Sequence, residues 1–314
     1  MTTAPAPHTG PFTHPALFYR GEDDYLGSVV PFITEGLARD EPVAVAVPAP
    51  RLAALRAALG PAAERVRWLD MTRVGRNPGR IIPGVLRAFA DPHRGRRVRL
   101  VGEPIWPLRS AAEYPACAQH EALINYSFAG RDVAILCPYD VRGLSGQALR
   151  DSEMTHPVLI DGGVERASDH YAPEHVVRAY NRPLPPPPAH ATPVDLSSPR
   201  PAARLRALAT EHARELGFPP DRVDEVRLVV TELAANSVLH GGGTGTAWLW
   251  ADRTHLFCQA SDRGHITDPL AGRRPAAPEQ PRGRGLLLVN HLADLVRTHT
   301  TPEGTTTRVR FAHR

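Results

Sequence analysis

Between residues 42 and 140 the apolar positions alternate between two patterns. "PVAVAVP" (42–48), "VRWLDM" (66–71), "RVRLVGEPIW" (97–106) and "DVAILCPYD" (132–140) are short, near-continuous apolar runs, and they predict strands. Between them, "APRLAALRAAL", "GRIIPGVLRAFA" and "AAEYPACAQHEALINYSFA" predict helices. Such alternation predicts a parallel sheet with helices on both faces, and strands covered on both faces read as continuous apolar runs. After residue 201 the pattern changes. "PAARLRALATEHARELG" predicts an amphipathic helix ending at Gly217, and "PPDRVDEVRLVVTELAANSVLHGG" predicts another. Pro220 opens the second helix, Asp224 and Glu225 sit in its early turns, and Val226, Val229, Val230 and Leu233 form its apolar stripe. "TGTAWLWADRTHLFCQASDRG" predicts two strands around a turn at 251–254. "GRGLLLVNHLADLV" predicts a helix start, and "VRTHTTPEGTTTRVRF" a hairpin turning at Gly304.

The run "NRPLPPPPAHATPVDLSSPRP" (181–201) separates the two patterns and predicts a stiff, extended spacer. The expected organisation is a flexible N-terminus (1–13), a first domain (14–180), a proline-rich linker (181–201) and a second domain (202–314). No internal repeat stands out. At 314 residues the chain is long enough for two cores, and 42% of it is hydrophobic. The longest clean apolar run, "VAVAV", is strand-sized, so no membrane span is expected, and the first residues do not read as a signal peptide. Three cysteines (Cys117, Cys137, Cys258) without a CxxC pair argue for a reducing cytoplasm and against a disulfide framework. Cys117 and His120 lack a second pair at zinc-ligand spacing. All 37 basic residues are arginine, which excludes a P-loop, since that motif needs its lysine at the phosphates. The net charge of +4 is spread without a basic stripe interleaved with aromatics, so direct nucleic-acid binding is not expected.

In open parallel sheets, ligands bind beyond the carboxyl ends of the strands. Asp70, Glu103, Trp106, Cys137, Tyr139 and Asp140 fall in those regions and mark a candidate sensory pocket. The plainer alternative is that they cap strands and hydrogen-bond loops. The runs "HPALFYRGEDDYLGSVVPFITEGLARDEPVAVAVP", "VRLVGEPIWP", "EALINY", "ILCPYD" and "MTHPVLI" resemble the MEDS sensory domain over roughly residues 14–160. That resemblance implies a RecA-like fold without its P-loop, which senses a small ligand that the family does not fix.

On the helix ending "VTELAANSVLHGG", Glu232, Asn236 and His240 are four residues apart and share one edge. An Asn carbonyl oxygen suits Mg2+, and a carboxylate can orient or deprotonate an attacking hydroxyl. An exposed polar edge is the alternative for this pair taken alone. Asp262 and Gly264 end the second strand, where a buried carboxylate can accept the adenine amino group. Gly283 and Gly285 open a helix whose backbone N–H groups suit phosphate oxygens. In this order the motifs resemble the GHKL ATP-binding superfamily, most nearly the anti-sigma-factor serine kinases of the SpoIIAB and RsbW kind. "VTELAANSVLHG" is similar to their N-box, "SDRG" and "GRGLLLV" to their glycine boxes, and "GTTTRVRF" to their closing strand, over about residues 202–314.

The resemblance implies an α/β sandwich of the Bergerat type that binds ATP with Mg2+. It implies Glu232 as catalytic base, Asn236 as Mg2+ ligand and Asp262 as adenine acceptor. Gly264 would shape the adenine pocket, Gly283, Arg284 and Gly285 would lie at the phosphates, and Thr305 would place a hydroxyl near the base. Ile266 stands where the family usually has a second glycine, and its side chain can crowd the nucleotide. Arg273, Arg274 and Arg282 are either phosphate-neutralising lid residues or solvated loop residues. The implied activity is phosphorylation of a serine on an anti-sigma antagonist, with sequestration of a sigma factor, under control of the sensory half. A homodimer is left open. Two alternatives remain, a sensor histidine kinase and a non-catalytic ATP-dependent binding module. His212, on the short helix before the N-box, has no second helix to complete an acceptor hairpin.

Overall fold

The structure, a computed structural model, describes residues 12–197, 201–276 and 283–313. The chain divides into two compact units, Met1–Tyr180 and Asn181–Arg314.

The first unit is built on one sheet. Its strands are β1 (Phe12–Thr13), β2 (Pro15–Tyr19), β3 (Val43–Val47), β4 (Val66–Asp70), β5 (Val98–Gly102), β6 (Val133–Asp140), β7 (Val158–Asp161) and β8 (Val164–Ala167). They lie in the order β4-β3-β5-β6-β2-β7-β8, with β1 also on β6. All pairings are parallel except the β7–β8 hairpin. Its helices include α1 (Glu22–Ala38), α2 (Ala49–Leu59), the short α3 (Met71–Val74) and α4 (Arg87–Ala90), α5 (Tyr114–Phe128), α6 (Gly146–Thr155) and α7 (Pro173–Ala179).

The predicted parallel sheet is present, and the period of two sorts its residues. Val43, Val45, Val47, Leu17, Tyr19 and Leu136 pack with Tyr25, Val29 and Ile33 of α1 and Leu55 of α2. Cys137 and Tyr139, out of phase with Leu136, face the other side, which α5 covers. The continuous helix expected over 79–90 is instead broken. A 3-10 turn at Pro78–Arg80 leads to a π-helical turn at Ile82–Leu86 and then α4. Pro83 lies in the wide turn and has no N–H to donate, so a regular ladder cannot pass through it. Of the N-terminus expected to be flexible, residues 1–11 lie outside the described residues, and Phe12–Thr13 pair with β6.

The second unit contains β9 (Thr192–Asp195), α8 (Pro201–Glu215), α9 (Pro220–His240), β10 (Gly245–Ala251), β11 (His255–Asp262), α10 (Gly285–Leu292), β12 (Leu295–Thr301) and β13 (Gly304–Ala312). The sheet is antiparallel in the order β12-β13-β11-β10-β9. Val226, Val229, Val230 and Leu233 of α9 pack with Leu205 and Ala209 of α8, Val289 of α10 and Leu249, Cys258, Val309 and Phe311 of the sheet. The result is a two-layer α/β sandwich whose helices cover one sheet face. Arg222, at the start of α9, pairs with the buried Asp294 and donates to Leu292 O at 2.8 Å, which ties α9 to the end of α10.

Residues 181–201 differ from the expected free spacer. Asn181 donates to Thr300 O at 2.7 Å and accepts from Thr300 N at 3.0 Å. Arg308 reaches Pro185 O, and Thr192–Asp195 pair with β10 as the sheet's edge. Pro193 argues against a central strand, but an edge strand tolerates a proline whose missing donor would face outward. Val194 and Leu196 are 1% exposed, so this segment belongs to the second core. Ser198, Pro199 and Arg200, also within the predicted spacer, lie outside the described residues.

Candidate functional site

The last turns of α9 and the ends of β11 and β13 enclose a cleft of about 330 Å³ with α10 and the segment 264–272. Asn236, Asp262, Gly264, Gly283, Gly285 and Thr305 line it. Asp262 organises its floor. Ser237 Oγ donates to Asp262 Oδ2 at 2.6 Å, and Gly264 N donates to Oδ1 at 2.8 Å. The two bonds fix the carboxylate plane while leaving lone pairs on both oxygens for a further donor. Thr305 Oγ1 donates to Gly264 O at 2.7 Å and meets Thr300 Oγ1 at 2.7 Å, and the latter accepts from Ile266 N at 2.9 Å. Glycine is required at 264, because a Cβ there would stand 2.5 Å from His240 O and 3.0 Å from Asp262 Oδ1.

Gly285 brings the start of α10 against α9. A Cβ at Gly285 would stand 2.5 Å from Glu232 Oε2 and 3.4 Å from Asn236 Oδ1. The carboxylate, the amide and the helix start therefore meet at Gly285, and Glu232 itself does not line the cleft. Asn236 Nδ2 is buried and makes no hydrogen bond among the described residues. Gly283 has φ 83°, a conformation that disfavours side-chain-bearing residues, and it turns the chain into α10. Arg284 is exposed at the N-cap of α10 and does not line the cleft. Arg274 pairs with Asp268, and Arg282 lies outside the described residues. Ile266 does line the cleft. Ser237, Thr300 and Gly272 were not singled out from sequence. A serine next to Asn236 was the only signal for the first, while strand pairing alone brings Thr300 to Thr305.

The cleft fits the groups that the motifs imply. Asp262 and the Gly264 turn offer an acceptor in a cleft also lined by Leu233, Ile266 and Leu286. The unpaired Asn236 Nδ2 is a donor that would suit a phosphate oxygen, while its Oδ1 is the atom that would hold Mg2+. Among the described residues, α8 is the only helix of this unit before α9, and His212 on it lies 3.4 Å from Glu215.

In the first unit the six candidate residues do not form one pocket. Glu103, just past β5 and 2% exposed, accepts from Tyr19 OH at 3.1 Å. Tyr25 and the Arg51 guanidinium complete this group, with Arg51 Cζ 4.9 Å from the Tyr25 ring centroid. The group lies at the carboxyl ends of the parallel neighbours β3 and β5, from which the chain leads to β4 on one side and β6 on the other, the usual ligand position in such folds. Burial pushes the Glu103 carboxyl up to about 8, and Asp140 adds repulsion against the Tyr19 bond and Arg51 charge that oppose the rise. Glu103 Oε2 and Tyr25 OH have no hydrogen bond among the described residues. Asp140 also receives the backbone N–H groups of Arg142 and Gly143. Cys137 and Tyr139 belong to the opposite, α5-covered face. Asp70 caps α3 through Thr72 N, and the Trp106 ring stacks under Arg109. Tyr19, Tyr25 and Arg51 escaped sequence reading because they come from three other elements.

Residues 13–157 match the family described as MEDS, the methanogen/methylotroph, DcmR sensory domain. Residues 196–311 match the family described as the histidine kinase-like ATPase domain. Among solved structures, the RsbU and RsbW domains of Rv1364c from Mycobacterium tuberculosis align at 17% identity and a TM-score of 0.29. That alignment covers 38% of this chain and 32% of the other. Comparison with curated proteins finds no match. No described helix is long and apolar enough to cross a membrane. The chain is thus similar to the MEDS sensory domain over its first part and to the histidine kinase-like ATPase domain over its second.

Proposed function

We propose that the second unit binds Mg-ATP and transfers its γ-phosphoryl group to a serine of an anti-sigma antagonist protein, and that it also holds a sigma factor. When bound, ATP supplies the transferable group and Mg2+ neutralises its charge. Asp262, oriented by Ser237 and Gly264, accepts the adenine amino group. Asn236 contributes a carbonyl oxygen to Mg2+, and the backbone at Gly283 and Gly285 faces phosphate. Glu232 takes the proton of the attacking serine hydroxyl. The first unit senses a small ligand at the Glu103 group and governs that output.

The observation that carries this reading is the junction at Gly285, where Glu232 and Asn236 meet the start of α10. The histidine-kinase alternative needs an acceptor hairpin before α9, and α8 instead packs into the sandwich through Leu205 and Ala209. The test is calorimetric titration of the full chain with ATP and Mg2+, beside Asp262→Asn. Saturable binding that weakens at least tenfold in the variant supports the assignment, and no heat at millimolar ATP sinks it. Acid treatment of the phosphorylated partner then separates phosphoserine, which survives, from phosphohistidine, which does not.

A further inference from the structure

The tripeptide Thr-His-Pro occurs twice in the first unit, at 13–15 and 155–157, each time leading into a strand. Those strands, β2 and β7, are parallel neighbours with Pro15 opposite Val158. The fold therefore brings His14 and His156 together, with ring centroids 4.1 Å apart. Cys137 is on β6, the other neighbour of β2, and Glu121 projects from α5, which covers this face. One donor atom from each of the four lies within 4.8 Å of the rest. All four are at most 1% exposed.

The hydrogen bonds around the group fix which ring nitrogens point inward. His156 Nδ1 lies 2.8 Å from Ser152 O, a carbonyl that can only accept, so Nδ1 carries the proton. His14 Nδ1 lies 3.2 Å from Asn125 Oδ1. The Asn125 amide nitrogen donates to Thr155 O at 2.8 Å, which fixes Oδ1 as the acceptor, so His14 Nδ1 is also a donor. In neutral rings both Nε2 atoms then present lone pairs. They face Glu121 Oε2, at 3.5 Å from His14 and 3.3 Å from His156. Neither Glu121 oxygen nor His156 Nε2 makes an aligned hydrogen bond among the described residues. Lone pairs converging in a dry interior call for a cation between them, either a proton, such as that of the Cys137 thiol 3.4 Å from His14 Nε2, or a metal ion that takes its place.

We infer that His14, Glu121, Cys137 and His156 form a closed site for one divalent cation of the zinc class. Zinc bonds of about 2.0–2.3 Å give tetrahedron edges of roughly 3.3–3.8 Å. The His14–Cys137 contact is 3.4 Å, and the two His–Glu contacts also fall in this range. Two imidazoles, a thiolate and a carboxylate suit zinc better than Mg2+ or Ca2+, which favour all-oxygen sets. Binding releases the Cys137 thiol proton, and thiolate plus carboxylate then neutralise a divalent ion, so no net charge is buried. The bonds at both Nδ1 atoms are the outer support that metal-ligating histidines use. Four protein ligands and no solvent access make the site structural, joining β2, β6 and β7 to α5, with the ion loaded as the chain folds. Cys117 and His120, set aside for zinc in the sequence for want of a second pair, are not among these ligands.

The test is expression of the full chain in metal-depleted medium supplied with Zn2+ or Co2+. About one equivalent should survive gel filtration, and the cobalt form should show tetrahedral ligand-field bands with a thiolate-to-cobalt charge-transfer band. Cys137→Ser should abolish that band and lower retention at least tenfold, while Cys117→Ser and Cys258→Ser keep both. Should Cys137→Ser fail to fold, the wild-type cobalt spectrum decides alone, and a spectrum without the thiolate band overturns the site. Retention unchanged in Cys137→Ser, or no uptake of either ion, also overturns it, the latter leaving a His–Glu–His ion network.

Discussion

Glu232 and Asn236 sit one helical turn apart, yet under the proposed function a base and a metal ligand respond differently to substitution. Glu232→Gln keeps size and most hydrogen bonding but cannot take a proton. It should bind ATP within a few-fold of wild type while serine phosphorylation falls by about 10²-fold or more. Asp262→Asn should show the reverse, losing nucleotide affinity first, and a fluorescent-nucleotide titration beside a kinase assay reads both. Glu103 offers a prediction of another kind. Its folded carboxyl titrates at about 8, far above the range of an exposed glutamate, so the folded state holds the proton more tightly. The stability tied to it is full below about pH 4.3 and is lost as pH rises towards 8. The melting temperature of the first unit should therefore fall more between pH 5 and pH 8.5 in wild type than in Glu103→Gln. Equal slopes would mean that Glu103 is solvated.

The start of α10 and the end of β11 both approach α9, but they meet different atoms. A methyl group at Gly285 meets the mobile end of Glu232, whereas one at Gly264 meets the His240 backbone carbonyl. A side chain can swing away and a helix end cannot. Gly285→Ala should therefore fold with near-normal stability but displace the carboxylate and suppress phosphoryl transfer. Gly264→Ala should cost about 1–3 kcal/mol of stability as well as adenine affinity. Thermal unfolding beside nucleotide binding separates the two, and equal melting temperatures would contradict the contrast.

At the scale of the whole second unit, its folding boundary is Asn181 rather than Ala202. The β9 edge supplies a ladder to β10, and Val194 and Leu196 are buried in the unit's core. Each such side chain stabilises by about 1.5–3 kcal/mol. A fragment 181–314 should accordingly melt roughly 5 °C or more above a fragment 202–314, as calorimetry can check. Matching transitions would return residues 181–201 to the role of a spacer.

Periodicity alone determined that the first unit is a parallel sheet with helices on both faces, because apolar runs of strand length between helical runs have few other solutions. The order of motifs after residue 201 likewise marked the elements of the cleft, since Asn236 on α9, Asp262 and Gly264 at the end of β11 and Gly285 on α10 all line it. What sequence could not carry were arrangements made by strand neighbours distant in the chain. Residues 181–201 read as a spacer because proline dominates local propensity, and only the pairing with β10 made 192–195 an edge strand. Cys137 and Glu103 read as one pocket because both lie towards the carboxyl ends of their strands, and the period-two alternation across the sheet put them on opposite faces. The two Thr-His-Pro runs lie 142 residues apart. It took the parallel pairing of β2 with β7 to bring their imidazoles together, because only the sheet makes the two strand starts neighbours.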